Sequence, residues 1–411
     1  MAPKIAIVGG GPAGLTLGLL LHKQSIPFTI FELRQQPTAE ELALPSGMLD
    51  LHEESGIAAL KECGLHEHFQ ALVGECSEAQ RVSDKDGNIV YADEGELSQR
   101  PEISRHALIQ LLTSNLPKER IRYGHKLFSV SVRAEGVELD FGPNGMQTFN
   151  LVIGADGAWS RVRNILTETK PHYTGMQLTT ATITNISTKH PHLSSLVGAG
   201  SFSALGLRHG VMSQRGPNDS ARIYTFFSIP DQDFASSSRL DGADFQTAKQ
   251  LLLSDEGLLG LFGPKIKDLA SASWDEEFSA ANKIVMKPLF TLPTNVSYPH
   301  FNSHSAAAVT LLGDAAHLMP PWAGEGVNLA MWDSLSLSRA IGTAFQESQG
   351  QVQEHFIRNL DPLLQAFEEE MFDRAREKAE ETEGNGKMLF GEDGAQAFKK
   401  FFESVYGAYE P

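Results

Sequence analysis

Cysteine is scarce in this sequence. Only Cys63 and Cys76 occur among 411 residues, which is too few for a disulfide framework, and neither has the neighbouring ligands of a zinc site. The sequence therefore predicts a protein of a reducing compartment, the cytoplasm. His66 and His68 have no third ligand at a suitable spacing, so we expect no bound metal ion.

Long apolar runs and an excess of positive charge are also missing. No segment approaches the ~20 apolar residues that a membrane-spanning helix needs. Lys and Arg total 34 against 51 Asp and Glu, a formal net charge of −17, which argues against nucleic acid and anionic membrane surfaces as partners. With 41% hydrophobic residues, the chain can bury a large core, and its length predicts two domains. We expect a monomer.

A glycine-rich loop follows the first apolar run. Ile5–Val8 predicts a buried parallel strand, and Leu15–His22 predicts a helix. Between them lie the loop positions Gly9, Gly11, Pro12, Ala13 and Gly14. Glycines at this spacing allow a tight turn, close approach of the backbone to a pyrophosphate and close packing of helix on strand. The helix start adds free N–H groups and partial positive charge for the anion.

Glu32 ends the second predicted strand, Phe28–Glu32, eighteen residues after Gly14. A carboxylate there would accept hydrogen bonds from ribose hydroxyls and would disfavour a 2′-phosphate. The loop is therefore predicted to hold FAD or NAD rather than NADP. The alternative is that Glu32 is only a solvated charge at a strand end. No second loop of this pattern follows a strand, so any nicotinamide cofactor must bind transiently elsewhere.

A second motif begins far downstream, where Val309–Leu312 predicts another buried strand and Asp314 follows closely. Ligands bind at the carboxyl ends of parallel strands in open α/β sheets, and a carboxylate there would bind the ribityl hydroxyls of a flavin. Gly324 would let the backbone approach the isoalloxazine ring, and the next helix would stabilise negative charge on it. That helix would start at Gly326, Val327 and Asn328. The two motifs together predict FAD bound along its whole length.

The predicted elements indicate an α/β fold with a Rossmann-like FAD-binding domain and parallel sheet, a mainly antiparallel β-sheet substrate domain, and C-terminal helices. Alternating residues predict strands at 178–186, 201–207 and 221–229, and Ser104 is expected to cap a helix that runs to about Asn115. Residues 352–382 predict one amphipathic helix, with Pro362 as the place for a kink. Glu383–Gly386 is predicted to end this helix. The FAD-binding domain should comprise 1–75, 100–172 and 295–345, the substrate domain 76–99 and 173–294, and the bridging C-terminal helices 346–411.

The sequence resembles the class A FAD-dependent aromatic hydroxylases, the para-hydroxybenzoate hydroxylase-like family, over roughly residues 4–380. Three of its motifs occur in order: the glycine loop, Asp156 within Gly154–Ser160, and Gly313-Asp314. The nearest resemblance is to the tetracycline-inactivating monooxygenases, through Ser46–His52, Pro101–Arg105 and 313–324. The resemblance implies FAD contacts from Asp50, Arg105 and Asp314.

The sequence departs from these monooxygenases at three positions. An arginine associated with nicotinamide binding lies seven residues before Asp50 in the family and falls here on Ala43; Arg34 is the candidate substitute. A glutamine that contacts tetracycline aligns near Thr180, and an arginine contact aligns near Phe202 or Ser203. These departures leave the flavin chemistry intact. They leave open whether the substrate is a tetracycline-type antibiotic.

In the resembled family, NADPH or NADH reduces FAD, O₂ forms a C4a-hydroperoxyflavin, and this species hydroxylates an electron-rich carbon. The resemblance implies a polycyclic aromatic or enolic substrate and no catalytic side chain, because the protein positions the reactants and excludes water. Pro320, Pro321 and Gly324 would form the positioning loop. The candidate substrate residues are Thr180, Phe202, Met212, Phe226, Pro320 and Trp322.

The sequence leaves several functions open. The enzyme would inactivate tetracycline-type antibiotics or serve as a biosynthetic polyketide or phenol hydroxylase; a third reading is a binding or regulatory flavoprotein whose FAD is structural. A halogenase on the same scaffold is disfavoured because no two tryptophans stand two residues apart. Met319 and Trp322 would line the pocket or pack beneath the loop, and His317 is expected to be a helix-start or packing residue.

Overall fold

A computed structural model describes residues 2–73, 77, 79–95, 101–301, 307–348 and 353–406. The strands are β1 (Ile5–Val8), β2 (Thr29–Phe31), β3 (Met48–Asp50), β4 (Gln80–Ser83), β5 (Ile89–Asp93), β6 (Glu102–Ser104), β7 (Ile121–Arg122), β8 (Ser129–Arg133), β9 (Gly136–Asp140), β10 (Met146–Phe149), β11 (Leu151–Gly154), β12 (His172–Ile183), β13 (Ser201–Gly206), β14 (His209–Gly216), β15 (Ser220–Ser228), β16 (Lys287–Thr291) and β17 (Ala308–Leu311).

The α-helices are α1 (Pro12–Lys23), α2 (Ala39–Ala43), α3 (Ala58–Cys63), α4 (His66–Leu72), α5 (Arg105–Ser114), α6 (Ile186–Lys189), α7 (Pro191–Val197), α8 (Phe234–Ser237), α9 (Phe245–Leu253), α10 (Pro264–Phe278), α11 (Asp314–His317), α12 (Gly326–Glu347), α13 (Gln353–Leu389) and α14 (Gly394–Tyr406). A π-helical turn covers Glu53–Ile57, and short 3₁₀ turns include Pro321–Ala323. In the described residues, no helix is long and apolar enough to cross a membrane.

A five-stranded parallel sheet forms the first half of the fold, in the order β17-β11-β1-β2-β7. Every residue of β1, β11 and β17 is buried, as expected for strands covered on both faces. Helices α1 and α12 pack together beside this sheet and contribute to the largest hydrophobic core. The predicted parallel sheet and its first βαβ unit are confirmed.

A seven-stranded sheet forms the second half, in the order β16-β12-β15-β14-β13-β4-β5. All its pairs are antiparallel except β13 with β4. One face carries residues such as Ile183, Ile223 and Phe227, which pack with α9 and α10 in a second core. Its strands come from 80–93, 172–228 and 287–291, so the mixed α/β class predicted from the sequence is confirmed. The domain boundaries stay a prediction, and several lie in or beside undescribed residues.

The long C-terminal helix α13 corrects one expectation. Glu383–Gly386 does not end the helix, which continues to Leu389 with Pro362 inside it. Each glycine costs about 1 kcal/mol in a helix interior, but Asn385 Nδ2 donates to the Trp322 carbonyl oxygen at 3.1 Å. Gly386 also lies so close to the Trp322 indole that an added Cβ would come within 2.6 Å of it. These tertiary contacts favour the helix over the local preference to stop.

Candidate functional site

The glycine loop after β1 has the backbone that its sequence predicted. Gly9 has φ +116°, and a Cβ added there would lie 2.0 Å from the Ala155 carbonyl oxygen. A Cβ on Gly14 would lie 2.1 Å from the Gly9 carbonyl oxygen, so these two glycines permit close packing of α1 on the sheet. A Cβ on Gly11 would meet nothing within 4 Å. The backbone at Gly11 therefore faces open space that a ligand can enter.

The start of α1 offers donors toward that space. Pro12 occupies the first turn, Gly11 is the N-cap residue, and no side chain caps the helix. In the described part of the chain, the N–H groups of Gly11 and Ala13 donate to no acceptor. A helix N-terminus with free N–H groups is an anion site, so the loop suits a pyrophosphate.

Glu32 lies beside the loop, as predicted, and already makes two hydrogen bonds. Its Oε2 accepts from the Gly10 N–H at 2.7 Å, and its Oε1 accepts from the Arg34 N–H at 2.8 Å. The carboxylate therefore fixes the loop conformation, and each oxygen retains a lone pair for a ribose hydroxyl. The Arg34 side chain is exposed nearby, which leaves its assignment to cofactor binding a prediction.

Asp314 begins α11 directly behind β17. Its side chain is exposed to solvent, yet enough protein surrounds it that desolvation raises the pKa of the carboxyl group, against the opposing charges of His317 and Arg105. Arg105 itself is exposed at the start of α5, and its N–H donates to the Gly47 carbonyl oxygen at 2.9 Å. Asp314 and Arg105, far apart in sequence, thus lie close enough for their charges to interact.

His317 is a buried structural residue, in agreement with expectation. Its Nε2 lies 2.6 Å from Asp333 Oδ2, which also accepts from the Gly313 N–H at 3.1 Å. Arg374 of α13 lies 3.5 Å from the other Asp333 oxygen. Although burial lowers the pKa of His317, the Asp333 charge and hydrogen bond raise it overall. The resulting ion network holds the Gly313 turn, with φ +54°, behind Asp314.

The start of α12 presents a second set of free donors. The first helical hydrogen bond runs from the Leu329 N–H to the Glu325 carbonyl oxygen, at 2.9 Å. Among the residues that the structure describes, the N–H groups of Gly326, Val327 and Asn328 have no acceptor. A Cβ on Gly326 would meet nothing within 4 Å. This helix end is therefore open to a ligand that carries negative charge.

Asn328 has a more specific place than predicted. Its buried side chain donates to the Asp50 carbonyl oxygen at 3.0 Å and accepts from the His52 N–H at 2.9 Å. Only its backbone N–H is thus free for a cofactor. Gly324 has φ +70°, and a Cβ there would lie 3.3 Å from both Asp50 carboxylate oxygens. The Asp50 segment, the Gly324 turn and the start of α12 therefore meet.

Asp156 serves the turn after β11. Its Oδ2 accepts from the N–H groups of Arg161 at 2.8 Å and Val162 at 3.4 Å. Desolvation raises the pKa of this carboxyl group despite those hydrogen bonds. The structure therefore gives Asp156 a conformational role, and its contact with FAD stays a prediction.

One face of the seven-stranded sheet turns away from the second core. The register places Ser203, Met212, Tyr224 and Thr180 side by side in a row across four strands. Tyr224 was not predicted; a Cβ on Gly47 would come within 2.9 Å of its Oη, so this row reaches the segment that carries Asp50. Desolvation raises the pKa of Tyr224. The next row contains Phe226.

The structure does not place Phe202 at the substrate face predicted for it. Neighbouring residues of a strand point to opposite faces, and Phe202 is completely buried in the core with α9 and α10. It therefore cannot line the cleft from this position. Ser203, the alternative alignment, occupies the row with Met212.

Trp322 packs against the end of α13. Its ring centroid lies 5.4 Å from that of Phe390, which lies 5.3 Å from that of Phe226. Phe390 was not predicted, because only the fold brings it between the loop and the sheet. Pro320 is half-buried and Pro321 exposed, and the position of the proline loop beside the flavin stays a prediction. The packing interpretation of Trp322 thus has direct structural support.

The comparisons with known proteins agree with this geometry. The family model described as "FAD binding domain" matches residues 3–239 and 285–355. Monooxygenase penA of Penicillium thymicola is 33% identical over 438 aligned residues, which cover 98% of each protein. The chain belongs to this FAD-binding family and to its FAD-dependent monooxygenases, as its resemblance to the class A hydroxylases implied.

Two solved structures share the fold. Klebsiella pneumoniae HpxO complexed with FAD and uric acid has a TM-score of 0.72 at 17% identity and covers 98% of this chain and 92% of its own. Tetracycline destructase Tet(55) has a TM-score of 0.62 at 17% identity, with 95% and 97% covered. At such identities the likeness concerns the fold alone. The open cradle at Gly11, the free N–H groups of α12 and the placement of Asp314 fit FAD.

Proposed function

We propose that this protein uses NAD(P)H and O₂ to hydroxylate a polycyclic aromatic or enolic compound. The proposal rests on one juxtaposition. Tyr224, in the row with Met212 and Thr180, approaches Gly47 of the segment that leads to Asp50. Asp50 in turn meets Gly324, and its carbonyl oxygen accepts from Asn328 Nδ2 at the start of α12. A flat ring at the helix start would therefore face a substrate on the sheet.

FAD would supply the redox chemistry: it accepts electrons from NAD(P)H and, with O₂, delivers one oxygen atom to the substrate. The residues supply binding and orientation. The Gly11 and Ala13 N–H groups would bind the pyrophosphate, Glu32 the ribose and Asp314 the ribityl chain. The N–H groups at 326–328 would stabilise negative charge on the ring. Pro320 and Pro321 would restrict the loop beside it, because proline fixes φ.

The row of cleft residues supports a mostly apolar substrate with few polar groups. The half-buried Met212 offers apolar surface, with the buried Phe226 in the next row, while Thr180 and Tyr224 offer hydroxyl groups. The glutamine that contacts tetracycline in the resembled monooxygenases aligns near Thr180, and the arginine near Phe202 or Ser203, of which Ser203 shares the row with Thr180. These short side chains favour a biosynthetic polyketide or phenol hydroxylase over inactivation of tetracycline-type antibiotics. A binding protein with structural FAD would need no such substrate face.

The cellular setting is part of the proposal. We expect a cytoplasmic monomer, and Cys63 supports a reducing compartment because it is free and buried. Desolvation raises the pKa of its thiol to about 12, so this cysteine is unreactive.

The test is turnover with the FAD-loaded protein. Polyketide phenols and anhydrotetracycline are incubated separately with NADPH or NADH in air, and coenzyme oxidation and product mass are followed. A phenol or enol should accelerate coenzyme oxidation and yield a product heavier by one oxygen atom. A response to anhydrotetracycline alone would favour antibiotic inactivation. No response to any compound, with FAD bound, would contradict hydroxylation and favour a structural role for FAD.

A pair of methionine variants locates the substrate. Met212→Trp should fill the cleft beside Tyr224 and abolish turnover while FAD remains bound. Met146→Trp is the matched control, because Met146 is 66% exposed on the separate three-stranded sheet. Equal activity of the two variants would place the substrate elsewhere.

A further inference from the structure

A line of alternating charges lies behind the start of α12. His52 Nε2 lies 3.2 Å from Asp50 Oδ2, and His52 Nδ1 lies 3.5 Å from Glu325 Oε2. Lys378 of α13 binds the other Glu325 oxygen at 2.7 Å. We call Asp50, His52, Glu325 and Lys378 the charge chain. It joins three elements that are distant in sequence, and His52 and Glu325 are both buried.

Within the charge chain, Glu325 lies where its negative charge can oppose the positive end of α12. It directly precedes Gly326–Asn328, whose free N–H groups carry the partial positive charge of a 22-residue helix. An unpaired carboxylate there would cancel that charge, about half an elementary charge, and would oppose a second negative group. Both Glu325 oxygens instead face cations, His52 on one side and Lys378 on the other.

We propose that His52 is a positioning residue that neutralises Glu325, so that the start of α12 stays electropositive and favours the reduced form of bound FAD. The inference rests on the proposed position of the flavin ring at this helix start. It assigns no contact between His52 and FAD. Its effect would pass through Glu325 and through the placement of Asp50.

The ionisation of the charge chain supports the role proposed for His52. Hydrogen bonds to Asp50 and Glu325 raise the pKa of His52 to about 9, although burial opposes this, so His52 is a cation at neutral pH. Burial alone would raise the pKa of Glu325, but His52 and Lys378 lower it below its usual value. Both acids are therefore met by positive charge when FAD is reduced near pH 7.

The other groups around His52 do not replace its charge. Asn328 of α12 and Ser55 of the π-helical turn are neutral, and they bind each other at 3.2 Å. On the same turn, Glu53 is exposed and pairs with Lys61 of α3. On α13, Glu381 lies 3.1 Å from Lys378. His52 is thus the cation that faces Glu325 from the Asp50 segment.

The experiment measures the reduction midpoint potential of bound FAD by equilibration with a redox dye at pH 7. The variants are His52→Gln, Glu325→Gln and their double variant. His192→Gln is the matched control, because His192 pairs with Asp268 at 2.7 Å on the exposed surface. FAD binding is measured first, by titration of each apoprotein with FAD.

His52→Gln should weaken the binding of reduced relative to oxidised FAD by about three- to tenfold, given the size of charge effects at helix ends. Tenfold corresponds to about 30 mV for a two-electron couple. Glu325→Gln should raise the potential, and His52→Gln should then have a smaller effect in the double variant. His192→Gln should leave the potential unchanged.

An unchanged potential in His52→Gln would overturn the inference, as would a lower potential in Glu325→Gln. An equal effect of His52→Gln with and without Glu325 would overturn the route through Glu325. If His52→Gln fails to fold, Glu325→Gln decides by the direction of its shift. Failure of the wild-type protein to take up FAD would overturn both this inference and the proposed function. The expected potential shifts without substrate turnover would overturn hydroxylation and leave this inference standing.

Discussion

Replacing Gly11 by alanine should separate folding from FAD binding. Gly11 has φ −80° and ψ −177°, which alanine adopts readily. The added methyl group would meet no protein atom within 4 Å. It would instead occupy the space from which a pyrophosphate approaches the free N–H groups of the loop. The substitution therefore perturbs the ligand site and leaves the protein packing intact.

The expected magnitudes follow from these contacts. Reduced freedom of the unfolded chain should stabilise Gly11→Ala by about 0.4–1 kcal/mol, and the poorer N-cap should cost a similar amount. The free energy of unfolding of the apoprotein should thus change by less than about 1 kcal/mol. Loss of hydrogen bonds to a charged group costs about 1.5–3 kcal/mol each. We therefore expect FAD to bind about ten- to a hundredfold more weakly.

Gly14→Ala is the contrasting variant. Its Cβ would lie 2.1 Å from the Gly9 carbonyl oxygen, so α1 and β1 must separate. Such overpacking costs about 1–3 kcal/mol or more. Urea unfolding of the apoproteins measures stability, and quenching of flavin fluorescence measures FAD affinity. The reasoning fails if Gly11→Ala binds FAD like the wild type, or if it destabilises the apoprotein as much as Gly14→Ala does.

Three further predictions concern stability and substrate binding. Phe202→Ala should lower the free energy of unfolding by about 3–5 kcal/mol without raising KM. Met212→Ala should raise KM with a smaller loss of stability. The reverse pattern would contradict the assignment of the two residues to opposite faces of the sheet. The pKa of His52 is raised from 6.5 to about 9, so its stabilisation should be full below about pH 6.5 and lost as pH rises through about 9. Urea unfolding across that range should show a decline that His52→Gln lacks. Gly384→Ala should stabilise the protein by about 1 kcal/mol, because the added Cβ meets nothing within 4 Å. Gly386→Ala should destabilise it, because the added Cβ would lie 2.6 Å from the Trp322 indole. Equal thermal midpoints of the two variants would contradict this prediction.

Local chemistry was enough to predict the elements that surround the two motifs. Ile5–Val8 is a short apolar run, and the structure buries it as the expected parallel strand. Ser104 caps α5, since its side chain accepts from the Ala107 N–H at 3.1 Å. The turn at Gly9 and the neighbouring Glu32 also follow from spacing. These features depend on a few consecutive residues, so their sequence carries the information.

The face of a strand was harder to predict than the strand itself. Alternation indicated β13, but a shift of one residue moves every side chain to the other face. The register with β14 points Phe202 into the core and Ser203 to the opposite face of the sheet. Tyr224 could have been found by the same alternation, two residues before Phe226. Phe390 could not, since only the fold of α13 brings it to the sheet.

By itself, the sequence determined the glycine loop, the strand before Asp314 and the mixed α/β class, because each depends on residue types at short spacing. Only the tertiary structure decided that α13 continues through Gly384 and Gly386, since contacts with Trp322 outweigh the local cost of glycine in a helix. It also brought His52, Glu325 and Lys378 together. Pairing across such separations depends on how helices pack, and no local pattern records it.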